Sequence, residues 1–188
     1  MKLLRRDIRT AAVDCVILLT VILTVGRPAD AQHPIVPRAS ERLKREVRHE
    51  LVMLPYYSVF DNLEYEIHGY DITLLGQVTR PTLKSDAESA VKRIEGVETV
   101  TNRIEVLPLS TADDEIRRAV YSTLYSERSP LFRYGWGAVP AIHIIVKSGQ
   151  VTLVGVVDSV TDKNSAGLLA DQVPGIFSVT NNLRVEES

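Results

Sequence analysis

The stretch Ile72 to Val106 (ITLLGQVTRPTLKSDAESAVKRIEGVETVTNRIEV) is written a second time as Val151 to Val185, and no other feature restricts the fold as much. At a constant offset of 79 residues the copies share Thr73/Thr152, Leu74/Leu153, Gly76/Gly155, Val78/Val157, Gly96/Gly175, Val100/Val179, Asn102/Asn181 and Val106/Val185. Self-similarity at a fixed offset means two copies of one supersecondary unit. Units of seventy-odd residues bury little surface alone, so the copies are expected to lean on one another.

The spacing of apolar residues specifies the elements of each copy. Residues 32–39 hold two prolines and no periodicity, and read as an extended leader ending at Ser40, a helix N-cap. Leu43, Val47, Leu51 and Leu54 then line one helix face, and Pro55 ends it. In the second copy Asp113 or Asp114 caps a helix carrying Ile116, Val120 and Leu124, at an offset of 73. A strand pair follows each helix: Leu63, Tyr65 and Ile67, a Gly69-Tyr70 turn, then Ile72, Leu74, Gly76 and Val78. The counterpart is Ile142, Ile144 and Val146, a Ser148-Gly149 turn, then Val151, Leu153, Gly155 and Val157. Glycine sits differently in the two turns, so different turn types are expected. Gly76 and Gly155 fall on the inward phase, where a missing side chain is expected to admit the following helix.

That second helix runs from about Thr82 to Glu95 with Leu83, Ala87, Val91 and Ile94 inward, and stops at Gly96. Its copy runs from about Thr161 to Val173 with Ala166, Leu169 or Ala170, and Val173 inward, and stops at Pro174-Gly175. A last strand closes each unit, through Val100, Ile104 and Val106 or Val179, Leu183 and Val185. The predicted class is α+β: two tandem α-β-β-α-β domains at 40–109 and 110–188, each a small mixed three-stranded sheet backed by two helices.

The pattern I-x-L-x-G-x-V, a helix, then G-V-x-x-V-x-N-x-I-x-V resembles the BON domain. It is carried here by Ile72, Leu74, Gly76, Val78, Gly96, Val97, Val100, Asn102, Ile104 and Val106. Val151, Leu153, Gly155, Val157, Gly175, Ile176, Val179, Asn181, Leu183 and Val185 repeat it. The resemblance implies a sheet backed by helices and a role in binding phospholipid or stabilising the bacterial envelope under osmotic stress. Its signature residues Gly76, Gly96, Asn102, Gly155, Gly175 and Asn181 are those of turns and core, and each asparagine is expected to satisfy nearby backbone at a bulge.

Residues 1–31 read as an export signal: basic Lys2, Arg5, Arg6 and Arg9, an apolar run Val16 to Val25, and Ala29-Asp30-Ala31 as the cleavage site. An uncleaved anchor is the alternative. The only cysteine, Cys15, precedes the apolar run and is not placed for lipid attachment, unlike that of the lipoprotein members of the family. Without residues 1–31 the chain keeps 17 of its 22 basic and 21 of its 24 acidic residues, a net charge of −4. That charge offers nucleic acid no basic field.

Three features are candidates for function. Arg42, Arg45 and Arg48, with Arg38, Lys44 and His49, put basic charge on the first helix opposite its apolar stripe, which suits anionic headgroups. Glu41, Glu46 and Glu50 interleave with them, and an i, i+4 pair of Glu41 with Arg45 fits a solvated, salt-bridged face. The segment Leu131 to Pro140, six residues longer than its counterpart, gathers Phe132, Arg133, Tyr134 and the sole Trp136, either as an interface or as a lid on a small core. Finally His143, Ile145, Thr152, Val154 and Val156, with Leu75 in the first repeat, make a sheet face apolar enough to need a cover, expected to be the other domain.

No histidine, cysteine or carboxylate spacing marks a metal site, and no nucleophile motif or nucleotide fingerprint appears, so neither catalysis, cofactor nor small-molecule substrate is expected. The reading is a monomeric periplasmic module that binds anionic phospholipid or the membrane surface. The alternative is a protein-interaction or chaperone-like module whose partners are envelope proteins.

Overall fold

The computed structural model describes residues 36–186; the expected export signal and most of the leader lie outside them. The first repeat is α1 (Val36–Val52), β1 (Asn62–His68), β2 (Asp71–Val78), α2 (Pro81–Lys92), β3 (Thr99–Asn102) and β4 (Glu105–Val106). The second is α3 (Thr111–Tyr125), β5 (Ile142–Lys147), β6 (Gln150–Val157), α4 (Val160–Asp171) and β7 (Ser178–Val185). In each, a hairpin is extended by a strand that pairs parallel with its second arm, giving a mixed sheet. The α+β architecture is therefore the expected one. β3 and β4 pair with the same edge of β2 and form one strand interrupted at Arg103 and Ile104, whereas β7 is continuous.

Each sheet buries one face under its helices. Leu43, Val47 and Leu51 of α1 and Leu83, Ala87 and Val91 of α2 close over Ile72, Leu74 and Val78. Ile116, Val120 and Leu124 of α3 and Ala166 and Ala170 of α4 do the same over Ile144, Val151, Leu153 and Val157. Each fully buried branched side chain contributes about 1.5–3 kcal/mol, so these stripes hold the units together.

The structure corrects four local expectations. α1 begins at Val36, so residues 36–39 form its first turn and Ser40 is not its cap. Proline has a helical φ and lacks the N–H that a first turn leaves unpaired, which makes Pro37 compatible with this start. The cap of α3 is Ser110, whose hydroxyl accepts from the Asp113 amide. Asp113 instead reaches the β5–β6 turn, accepting from the amides of Ser148 at 2.9 Å and Gly149 at 2.8 Å. Both residues of that turn have positive φ, +52° and +76°, as a type I′ turn requires, whereas in the first repeat only Gly69 does.

Gly76 and Gly155 make room for a strand, not for a helix. A Cβ on Gly76 would lie 2.1 Å from the Asn62 carbonyl oxygen, and one on Gly155 2.0 Å from that of Ala141. Both glycines also have positive φ, +103° and +133°. Alternation of side chains places the residue but does not say which neighbour takes the space. Lastly, Glu41 pairs with Lys44 at 2.8 Å, and not with Arg45.

The segment between α1 and β1 joins the repeats. The Ile144 amide on the edge of β5 donates to the Val59 carbonyl at 2.8 Å, and Val59 belongs to the second core. Phe60 meets Tyr121 edge-on at 6.2 Å, and Tyr57 stacks on His143 at 5.6 Å. Lys147 pairs with Glu105 across the junction. Ile145 is buried there, beside Leu107 and Gln77, so the outer sheet face is covered along His143 and Ile145. Val156 on the same sheet stays exposed.

Candidate functional site

Packing α1 beside α2 leaves a groove of about 440 Å³ between them. On α1 it is lined by Arg42, Arg45, Glu46, His49 and Glu50, the residues flanking the buried Leu43–Val47–Leu51 stripe. On the other side it is lined by Ala90 of α2 and by Arg93 and Ile94, which directly follow that helix. Ala90 and Ile94 are its apolar lining, and its charged lining is mixed, three arginines against Glu46 and Glu50. Arg42 donates to Glu46 at 2.8 Å and Glu95 at 3.4 Å, tying α1 to the end of α2. Those hydrogen bonds raise the Arg42 guanidinium above its ordinary range, Glu46 first. Arg45 and Arg93 have no carboxylate within ion-pair distance among the described residues. Arg48 is exposed outside the groove, where its charge acts on Tyr57. Arg93 was not anticipated. It is the residue that caps the C-terminus of α2, and only the side-by-side packing of the helices brings it to α1.

The aromatic segment divides residue by residue. Tyr134, in a 3-10 turn at Phe132–Gly135, is buried; its hydroxyl accepts from the Asp158 amide at 2.8 Å and donates to Asp162 at 3.1 Å. Arg133 lies 4.6 Å over the Tyr134 ring and pairs with Asp162 at 2.7 Å and Asp158 at 3.2 Å. The Ser159 hydroxyl, 2.6 Å away, is the first cause that holds the Asp162 carboxyl below its usual range, with Tyr134 and Arg133 adding to it. Arg133 and Tyr134 are thus spent on closing the second repeat. Trp136 is different: 73% exposed, it meets half-buried Phe132 edge-on at 6.0 Å.

The signature asparagines bridge the last strand to the second helix. Asn102 Nδ2 donates to the Lys84 carbonyl at 2.9 Å and to Glu88 at 3.0 Å, while its Oδ1 accepts from the Ile104 amide at 3.1 Å. Asn181 Nδ2 donates to the Lys163 carbonyl at 2.6 Å, and its Oδ1 accepts from the Leu183 amide at 3.3 Å. Gly96 and Gly175 adopt positive φ at the turns that follow α2 and α4. Among the described residues, no group of three or more His, Cys, Asp or Glu is placed to hold a metal ion. No described helix is long and apolar enough to cross a membrane.

Fold and signature together define the class, a tandem α+β module in which the repeated polar residues serve the backbone. The BON domain model matches residues 40–108 and 112–187, and the chain belongs to that family. No curated protein matches the sequence. Two solved structures of CdsD, a structural protein of the Type III secretion system of Chlamydia trachomatis, are similar to it. The one titled as the C-terminal domain is 12% identical with a TM-score of 0.32, and the match covers 77% of this chain and 98% of that one. The other is 13% identical with a TM-score of 0.28, covering 78% of this chain and 94% of that one. Superpositions this loose carry no argument about fold or function.

Proposed function

We propose that this protein is a non-enzymatic, monomeric module of the bacterial envelope, exported to the periplasm, that holds anionic phospholipid headgroups in the groove between α1 and α2. The observation that carries the reading is the groove itself, whose lining includes Arg45 and Arg93, neither of them within ion-pair distance of a carboxylate among the described residues. Guanidinium forks bind phosphate through paired N–H donors, and Ala90 and Ile94 supply the apolar base on which the first carbons of a lipid can rest. Family membership supports an envelope setting.

Co-sedimentation with vesicles tests this. Binding to anionic vesicles and not to neutral ones, weakening as salt rises, is expected. At about 1 kcal/mol for each basic residue near the surface, Arg45→Gln with Arg93→Gln should cost about thirtyfold in partition. No binding to anionic vesicles at low salt, or binding indifferent to the double substitution, would overturn it.

A second reading, a protein-interaction module of the envelope, rests on Trp136, a large exposed aromatic set edge-on against half-buried Phe132. It gains if Trp136→Ala abolishes retention of an envelope protein while vesicle binding is absent throughout.

A further inference from the structure

His143 stands on β5 with its ring against Tyr57 of the first repeat, centroids 5.6 Å apart and planes tilted by 30°. Its Nδ1 is buried and has no hydrogen-bond partner among the described residues. The backbone of Ser58 and Asp61 lies near enough to favour a charged ring, yet nothing reaches Nδ1 in hydrogen-bond geometry. The one carboxylate at hand is already committed. Asp61, fully buried, accepts from the Ser58 amide at 3.0 Å and hydroxyl at 2.6 Å, and from the Thr79 amide at 2.7 Å and hydroxyl at 2.8 Å. It cannot turn to the imidazole without abandoning those donors. Tyr57 stays neutral, its phenol pushed up to about 12 by burial first and by Asp61 second. Arg48 and Glu64, the other charges that act on Tyr57, oppose one another. Across β6 the register partner of His143 is Val154, which carries no charge.

A neutral imidazole suits this place. A charged imidazolium would give up its hydration against the Tyr57 ring, with no carboxylate free to pair with it. Burial lowers the affinity of the His143 ring for a proton, against smaller opposing pulls from the Asp61 and Ser58 backbone and then from the Asp61 charge. The next residue along is the one that ties the repeats together, through the Ile144 amide and the Val59 carbonyl.

We propose that His143 is a proton-operated latch that keeps the Tyr57–Asp61 segment of the first repeat on the edge of β5 while neutral and releases it when charged. A base whose proton affinity is lowered in the closed form stabilises that form fully above the free imidazole value of 6.5. The contribution is lost as pH falls below it. Release uncovers the edge amide of Ile144, which is bonded to the Val59 carbonyl while the junction is closed. An envelope protein held by its groove would then present a strand edge only in acid.

The test is hydrogen exchange in the full chain, read at the Ile144 amide and referenced to the Val120 amide inside α3, together with the ring resonances of His143. Protection at Ile144 should fall at least about threefold between about pH 7.5 and about pH 5, with the midpoint of the His143 titration, while Val120 keeps its protection. His143→Phe keeps an aromatic on Tyr57 and cannot titrate, and should hold Ile144 protection flat; His143→Gln serves should phenylalanine disturb the fold. Protection at Ile144 independent of pH in the wild type, or following a midpoint other than that of His143, would overturn the latch. So would a fall of equal size in His143→Phe.

Discussion

Gly155→Ala isolates the device that shapes both hairpins. The backbone there has φ +133°, and a Cβ would lie 2.0 Å from the Ala141 carbonyl oxygen, 3.2 Å from its carbon and 3.4 Å from the Ile142 Cα. All three atoms are backbone, so relief requires the strands to part. The conformation alone costs about 1–3 kcal/mol for an L-residue, and losing one ladder hydrogen bond adds about 1 kcal/mol, giving about 2–4 kcal/mol. For a domain stable by about 5–15 kcal/mol, with a urea dependence near 1–3 kcal/mol per molar, the midpoint should drop by roughly 1–2 M. Gly69→Ala is the internal control, since it has positive φ, +67°, but open space around the added carbon. It should lose only the backbone cost of about 1–2 kcal/mol. If the space at Gly155 served α4 instead, trimming buried Ala166 to glycine would rescue Gly155→Ala. Rescue, or equal losses at Gly155 and Gly69, would refute the strand-against-strand account.

Asn181→Ala removes the donation to Lys163 and the acceptance from Leu183, and should destabilise the second repeat by about 1–3 kcal/mol in urea. Asn181→Asp keeps the acceptor and should fall between; a neutral alanine variant would show that the contact is incidental. Asp162 is held below its usual range by Ser159, Tyr134 and Arg133, so its contribution is complete above the free value near 3.8 and lost as pH falls through the lowered one. Asp162→Asn should therefore flatten the acid limb of melting temperature against pH, and an unchanged acid limb would place the loss elsewhere.

What could be read in advance follows from the range of the interactions. Helix phases came through because Leu43, Val47 and Leu51, or Ile116, Val120 and Leu124, report a local period set by the helix itself. Gly76 and Gly155 were placed on the correct face, but their neighbour depends on which backbone crosses there. Asp113 looked like a cap because its type and position suit one, yet its partners lie 35 and 36 residues away. Arg93 needed the packing of α1 on α2. Tyr134 and Trp136 are two residues apart and chemically alike, and only the turn at Phe132–Gly135 sends one inward and leaves the other in solvent.

The comparison between repeats separates fold from function more sharply than either repeat alone. Where the backbone demands a residue, the copies agree: glycine opposite a carbonyl, asparagine between strand and helix. Even the variations there are compensated, for Glu88, which accepts from Asn102, is replaced by Gly167, which leaves Asn181 its room. The groove shows no such pressure. At the equivalent positions of the second repeat, Arg42, His49 and Arg93 become Glu115, Ser122 and Gln172, and only Arg45 keeps its charge, as Arg118. Nothing in the shared fold therefore requires the cations of the first repeat. Conversely the long aromatic segment belongs to the second repeat alone, and His143 replaces an outward Glu64. The duplicated scaffold diverges at its helix groove in one copy and at its junction in the other, and those are the places where the proposed headgroup contact and the proposed latch lie.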